Sequence, residues 1–315
     1  MSGEKSKAIG EYGEDIGRYI LKLIGWKYTK TNFEIVCNNP NHLNPKKNQK
    51  KSHGEDEYYI YECPLIDDRK VIAHISVKHT TEYGQPSYIR QKLKDDVIEL
   101  SEIIECSKHN QDTKNIVKSY GSNRPKSAHY GLLIYTSHEF DQLNMNVREE
   151  LSKIRWNQAV CEPIILIDNQ RASFLFYIHK YLKNNYPQYS YTNPDFGFNL
   201  APNCDTHQNF LNINMIASEI IPFRIKVNDK FEAMLFSNES FSEESLRKSI
   251  TYSFETSRGF ATRMHLGFSD YNHFVHKDIS ERVKMSLSKQ SPKNIDEIEI
   301  IPFCFNENFL NLGNN

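Results

Sequence analysis

The acidic run Ser52-His53-Gly54-Glu55-Asp56-Glu57 is followed, further along the chain, by Lys78 at the end of the alternating segment Ile75-Ser76-Val77-Lys78. A carboxylate held beside an ammonium near a sheet end can bind a divalent cation and position or deprotonate an attacking water, the chemistry of a hydrolytic metal site. Just upstream, Lys46, Lys47, Lys50 and Lys51 lie in a stretch without acids between Val36 and Gly54. Such a run is ordinarily a solvated loop. Beside a catalytic pair it suits salt-dependent, sequence-independent contacts to phosphates, with His53 next to it. Lys92, Lys94, Lys114, Lys118, Arg124 and Lys126 could extend that surface, diluted by Asp95, Asp96 and Asp112. Cys37, His42, His53 and Cys63 offer nitrogen and sulfur donors, but their spacings are irregular and Cys63 falls in an expected strand, so separate thiols and imidazoles are the ordinary reading. Ser76 has no GxSxG elbow or ordered His–Asp pair and reads as a small polar filler. His273 and His276 read as loop residues without partners.

These residues need elements to hold them. Ile9, Tyr12, Ile16, Tyr19, Ile20 and Leu23 form a helical stripe over about 5–24, stopped by Gly25 before Trp26. Residues 32–37 read as a strand, and NNPNHLNPKKNQKKSHG as a polar loop. Residues 58–63 and 71–78, joined by a tight turn around Asp67, read as a hairpin. Asp56, Tyr58, Ile60 and Glu62 then share a face with Ile72, His74, Ser76 and Lys78, and Asp56 comes roughly opposite Lys78. A helix over 87–106, a polar connection over 108–127, a strand over 128–135, a helix over 141–156, a strand over 163–167 and a helix over 170–185 follow. The order αβββαβ, then αβ and a closing helix, predicts an α/β domain over 1–190. A Pro/Asn/Tyr-rich stretch then leads to a smaller α+β accessory or partner-binding domain over 195–315. There, segments 219–227 and 231–236 flank an Asn228-Asp229 turn, Ser242 caps a helix to about 256, and 261–268 and 295–303 read as strands.

At this point the residues resemble the PD-(D/E)xK, or restriction-endonuclease-like, nuclease superfamily, whose core is αβββαβ. Gly10-Glu11-Tyr12-Gly13-Glu14, Leu21 and Gly25-Trp26 look like the first-helix pattern of Mrr-like and Holliday-junction-resolvase-like members. The resemblance implies that Glu14 is the first-helix acid, Asp56 the metal-binding Asp, Lys78 the motif lysine, and Gln91 an accessory glutamine. One departure stands out: the acid of (D/E)xK is Ser76 here, and a hydroxyl is a poor Mg²⁺ ligand. Glu62, on the face of Asp56, is the candidate replacement, with Glu11 or Glu55 behind it. The expected catalytic set is therefore Glu14, Asp56, Glu62, Lys78 and Gln91, the metal set Asp56, Glu14 and Glu62, and the cofactor Mg²⁺ or Mn²⁺. The resemblance further implies DNA as substrate, a subunit of a bacterial phage-defence system, and a second protein or further copies of the chain as partners. The alternative is a catalytically silent nuclease-fold protein that binds DNA or scaffolds a partner, with Ser76 as the mark of lost metal chemistry. A weaker one is an unrelated α/β module whose strands match by chance.

Composition bounds these readings. The 315 residues suffice for one large or two ordinary domains. With 39 Lys and Arg against 40 Asp and Glu, the net charge of −1 excludes a whole-surface positive field, so any nucleic-acid contact rests on local charge. The six cysteines form no CxxC pair and suit reduced thiols. The charged N-terminus and the shortness of the apolar stretches predict a cytoplasmic protein without membrane spans.

Overall fold

The structure is a computed structural model of the chain. It describes all residues except 1, 28, 45, 67, 140–144, 157–161, 195–206, 258–260, 291–297 and 307–315, and the side chains of 2–6, 32 and 290. The chain divides into two compact units, 1–173 and 174–315. The division thus falls inside a helix, ahead of the Pro/Asn/Tyr-rich stretch that marks the expected boundary.

The first unit opens with α1 (Ser2–Leu23). Gly25, at φ 84°, ends it: its N–H donates to Lys22 O at 3.1 Å, and the N–H of Trp26 donates to Leu21 O at 2.8 Å. That pair of bonds needs a left-handed residue, which is why glycine stands there. Next come β1 (Lys30–Val36), β2 (Ser52–Glu62) and β3 (Arg69–Thr80). After them run α2 (Pro86–His109), α3 (Gln111–Ser119), β4 (Lys126–Ser137), α4 (Val147–Ser152), β5 (Ile164–Ile167) and α5 (Asn169–Asn185). The sheet order is β1-β2-β3-β4-β5; β1, β2 and β3 pair antiparallel, and β3, β4 and β5 pair parallel. This is the expected α/β nuclease core, a mixed sheet with β3 at its centre. α3 is new: it occupies part of the expected polar connection, capped by Asn110, whose Oδ1 accepts the N–H of Thr113 at 3.0 Å.

Helices cover the sheet. Ile89, Leu93, Val97, Leu100 and Ile104 form the buried stripe of α2, packed with Ile35, Leu133, Tyr135 and Leu166 in one apolar cluster. α1 packs on β3, where Gly13 lies against His79 and Gly17 against Val77. A methyl group at either glycine would collide with β3, so these two positions let the helix sit directly on the strand.

The second unit takes in the rest of α5, then β6 (Tyr189–Thr192), β7 (His207–Gln208), α6 (Ile213–Ile216), β8 (Ile220–Val227), β9 (Lys230–Ser237), α7 (Glu243–Ser257), β10 (Arg263–Phe268), α8 (His273–Gln290) and β11 (Glu299–Cys304). Its sheet runs β11-β10-β9-β8-β6-β7. Asn228 and Asp229 turn the β8–β9 hairpin at φ 46° and 63°, the left-handed pair that a two-residue hairpin turn requires. His273 and His276 are corrected from loop to helix. The His276 ring stacks on Phe241 at 4.4 Å and accepts the N–H of Asn272 at 3.1 Å. No helix among the described residues is long and apolar enough to cross a membrane.

Candidate active site

The pairing of β2 with β3 runs from Glu62↔Lys70 to Glu57↔Ile75 and stops there, whereas β3 continues to pair with β4 as far as Thr80↔Ser137. Beyond Ile75 the β2-facing edge of β3 therefore needs another acceptor, and the Asp56 carboxylate supplies it: Oδ2 accepts the Val77 N–H at 2.8 Å and the Ser76 hydroxyl at 3.3 Å. The register differs from the expected one by two residues, since its continuation sets Asp56 opposite Ser76 instead of Lys78. The hairpin is centred one residue earlier than the turn around Asp67 that the sequence suggests, and Asp67 itself lies outside the described residues.

Lys78 points to the α2 side, where its Nζ donates to Glu99 Oε2 at 3.0 Å. Burial pulls the ammonium pKa down, but Glu99, Asp96 and Asp56 together outweigh it and raise it above the ordinary lysine value. Asp96 stands one turn before Glu99 on α2, on the same face. Burial and the neighbouring Glu99 push its carboxyl up to about 6, against the opposing pull of Lys78 and Lys92. One carboxylate thus bonds the lysine where two strands part, and two more act on its charge. An open cleft of ≈ 660 Å³ adjoins them, lined by Gly10 and Gly13 of α1, residues 77–80 of β3 and Thr81 after it, Tyr88, Lys92 and Asp96 of α2, and Tyr135 of β4. Burial, then Asp96, push the Tyr135 phenol to about 12, so it stays protonated at the cleft wall. His79 bonds Thr136 at 2.9 Å and His138 at 3.2 Å, and burial and His138 hold it below the ordinary histidine value.

The donor set suits a hard divalent cation. The ligands on offer are carboxylate oxygens, and both hydrogen bonds to Asp56 fall on Oδ2, which leaves Oδ1 available. Asp56 and Asp96 are the residues able to hold the ion, with Glu99 engaged by Lys78. In the sequence Lys92 and Asp96 read only as part of an extended basic surface and Glu99 is not singled out, because the candidate replacement acids Glu11, Glu55 and Glu62 all lie in elements before β3. The signal was present: 88, 92, 96 and 99 share one helical face in the element right after Lys78.

The other expected residues lie elsewhere. Glu62 is six residues along β2 from Asp56, about 20 Å at the rise of a strand. There it accepts from Arg124 Nε at 3.2 Å and from the Ser122 hydroxyl at 2.7 Å, so it cannot stand in for the missing acid of the motif. Glu14 pairs with Arg18 at 2.7 Å and is half exposed, while Arg18 also approaches Glu57 at 3.7 Å. Gln91 is outside the cleft lining and donates to Asp95 at 2.8 Å. Glu55 is buried against His74, with Oε1 2.7 Å from Nδ1. Lys46, Lys47 and Lys51 are exposed. Lys50 is not free to meet a phosphate, because it is partly buried and paired with Glu102 at 2.7 Å. His53 is corrected as a nucleic-acid contact: it is 4% exposed, its ring lies against His42, and burial first, then Lys50 and His42, hold it below its ordinary value. Of the extended basic surface, Lys94 donates to Arg155 O at 2.9 Å, Lys126 pairs with Asp68 at 2.5 Å, and Arg124 braces the carbonyls of Cys63, Ile66 and Arg69.

A mixed five-stranded sheet behind an N-terminal helix, with an aspartate and a lysine meeting where the central strands part, defines a nuclease domain of the PD-(D/E)xK class. More narrowly, the family model described as the GAPS4 protein PD-(D/E)XK nuclease domain matches residues 1–171, and the chain belongs to that family. No curated protein matches the chain.

Proposed function

We propose that the first unit is an endonuclease that hydrolyses DNA phosphodiester bonds with Mg²⁺ or Mn²⁺ held by Asp56 and Asp96, and that Lys78 orients the attacking water. The observation that carries this reading is Lys78, bonded to Glu99 and lining an open cleft together with Asp96, on the strand whose Val77 N–H and Ser76 hydroxyl hold the Asp56 carboxylate. When bound, the cation would lower the pKa of a coordinated water and offset charge developing on the phosphate. The raised pKa of Lys78 keeps it an ammonium at neutral pH, so it acts as a hydrogen-bond donor to water or phosphate oxygen and not as the base. Glu99 fixes the direction of that donor. Ser76 keeps the Asp56 carboxylate turned toward β3 and needs no metal-binding role, because α2 supplies the second acid. Glu14 holds Arg18 across to Glu57 and acts on the site through that chain of charges. The exposed lysines 46, 47 and 51 track the DNA backbone.

Family membership favours the defence role that the resemblance implies, in the cytoplasm and alongside a second protein or further copies of this chain. Supercoiled plasmid incubated with the purified chain and Mg²⁺ tests the catalytic part. Wild type should nick or cut, Lys78→Ala should lose about 10²–10³-fold as for removal of one transition-state donor, and Asp56→Ala and Asp96→Asn should abolish cleavage. Equal cleavage by wild type and Asp56→Ala refutes the assignment. Ser76, with no carboxylate at its position, favours a second reading, a silent DNA-binding subunit. DNA binding without cleavage, and without calorimetric Mg²⁺ binding that Asp56→Asn abolishes, would establish that one instead.

A further inference from the structure

A second cluster of donors lies away from the cleft. Cys37 follows β1, His42 sits in the β1–β2 loop, His53 is the second residue of β2, and Cys106 is in the last turn of α2. All four are buried, and their donor atoms lie within 4.8 Å of one another. The separations are 3.9 Å for Cys37 Sγ to Cys106 Sγ, 3.5 and 3.4 Å from His42 Nδ1 to the two sulfurs, and 3.3 Å from His42 Nδ1 to His53 Nε2. A tetrahedral ion with Zn–S and Zn–N bonds of ordinary length requires edges of about 3.75 Å for S–S, about 3.55 Å for S–N and about 3.35 Å for N–N. Four of the six edges match these to within about 0.15 Å, and the two from His53 Nε2 to the sulfurs are no longer than 4.8 Å.

Hydrogen bonding alone does not account for the arrangement. Three polar atoms converge on His42 Nδ1, yet a ring nitrogen has one lone pair or one N–H and satisfies one partner. Its other nitrogen, Nε2, lies 3.3 Å from Glu105 Oε2, and Glu105 Oε1 in turn accepts from Asn39 Nδ2 at 2.8 Å. A carboxylate that receives the N–H of a histidine fixes the tautomer in which the opposite nitrogen is the ligand. We infer that Cys37, His42, His53 and Cys106 form a tetrahedral structural site for a zinc ion, with Glu105 as the residue that positions His42.

Two thiolates and two imidazoles select a borderline-soft ion over Mg²⁺, so this site is chemically distinct from the carboxylates around Lys78. With four protein ligands it is closed, as structural sites are, and leaves no open position for a water. The ligands come from the β1–β2 connection, from β2 and from α2, so the ion would fasten the lysine-bearing loop, which has almost no apolar residues of its own, to the main helix of the core. Metal binding of this kind contributes directly to folding.

The test is metal content of the full chain purified from zinc-supplemented culture under reducing conditions. Mass spectrometry of the metal should find about one zinc per chain in wild type and in Asp56→Ala, and Co²⁺ exchange should give the visible bands of a tetrahedral thiolate site. Glu105→Gln keeps all four ligands, and its affinity for zinc should fall by about 10–100-fold against a competing chelator. His42→Ala and Cys106→Ser should lose the ion. A folded, reduced wild type without zinc that takes up neither Zn²⁺ nor Co²⁺ would overturn the site. So would a Cys37–Cys106 disulfide, seen as a mass lower by two hydrogens, or zinc that disappears in Asp56→Ala, which would assign the ion to the cleft.

Discussion

Gly10 and Gly13 lie one turn apart on α1, and alanine should act on them with opposite signs. In a helix interior, Gly→Ala is worth up to about 1 kcal/mol. A Cβ at Gly10 meets nothing within 4 Å, so Gly10→Ala should gain most of that amount. A Cβ at Gly13 would stand 2.4 Å from the Cβ of His79, an atom tied to the backbone of β3, so α1 has to lift from the sheet. Overpacking of this kind costs about 1–3 kcal/mol, which exceeds the propensity gain and leaves a net loss of about 1 kcal/mol. The two variants should then differ by about 2 kcal/mol, or about 4–8 °C in Tm for a unit of this size. Trp26 and Trp156 are the only tryptophans of the chain and both belong to residues 1–173, so tryptophan fluorescence reports this unit alone. Thermal and urea unfolding followed by that signal gives the order Gly10→Ala above wild type above Gly13→Ala. A Gly13→Ala chain as stable as wild type would refute the claim that α1 sits on β3 at glycine contact.

Asp96→Asn should stabilise the metal-free chain while removing activity. A carboxyl raised to about 6 in the folded state, against 3.8 ordinarily, makes the ionised form costly above pH 6. At 1.36 kcal/mol per pH unit the relief is at most about 3 kcal/mol at pH 7.5, and it vanishes below about pH 4, where both side chains are neutral. Urea unfolding at the two pH values checks this, and a variant less stable at pH 7.5 contradicts it. Replacing Lys46, Lys47 and Lys51 together by alanine should weaken DNA binding in a sequence-independent way. It should also flatten the log K against log salt slope by about 3, since each phosphate contact contributes about 0.9. An unchanged slope removes the lysine loop from the interface.

Local chemistry made much of this protein legible from residue order alone. The Gly25 stop of α1, the Asn228-Asp229 turn and the helix α2 follow from short-range rules, and the structure has each of them. The stripe read for α1, in contrast, leaves Tyr12 and Tyr19 exposed while Gly13 and Gly17 face β3, and β3 is buried on both faces instead of alternating. The aspartate and lysine of the motif also lie near one another, because the register departs from the expected one by two residues, an even offset that leaves both side chains on one face. Parity, however, does not fix register: the length of the 63–68 connection does, and it places Asp56 against Ser76 and Val77. Nor does a strand pattern say where pairing ends, and it is the parting of β2 from β3 after Ile75 that frees the Val77 N–H for Asp56. Which acid joins Lys78 was decided by how α2 crosses the sheet, which brings Asp96 and Glu99 to the lysine and leaves Glu62 with Arg124. The same crossing brings Cys106 to Cys37, His42 and His53. Residue types and spacing pointed to Asp56 and Lys78 and showed three of the four clustered donors without singling them out as a site; the partners Asp96, Glu99 and Cys106 come from a helix whose placement depends on packing across the whole sheet, and no local pattern encodes that.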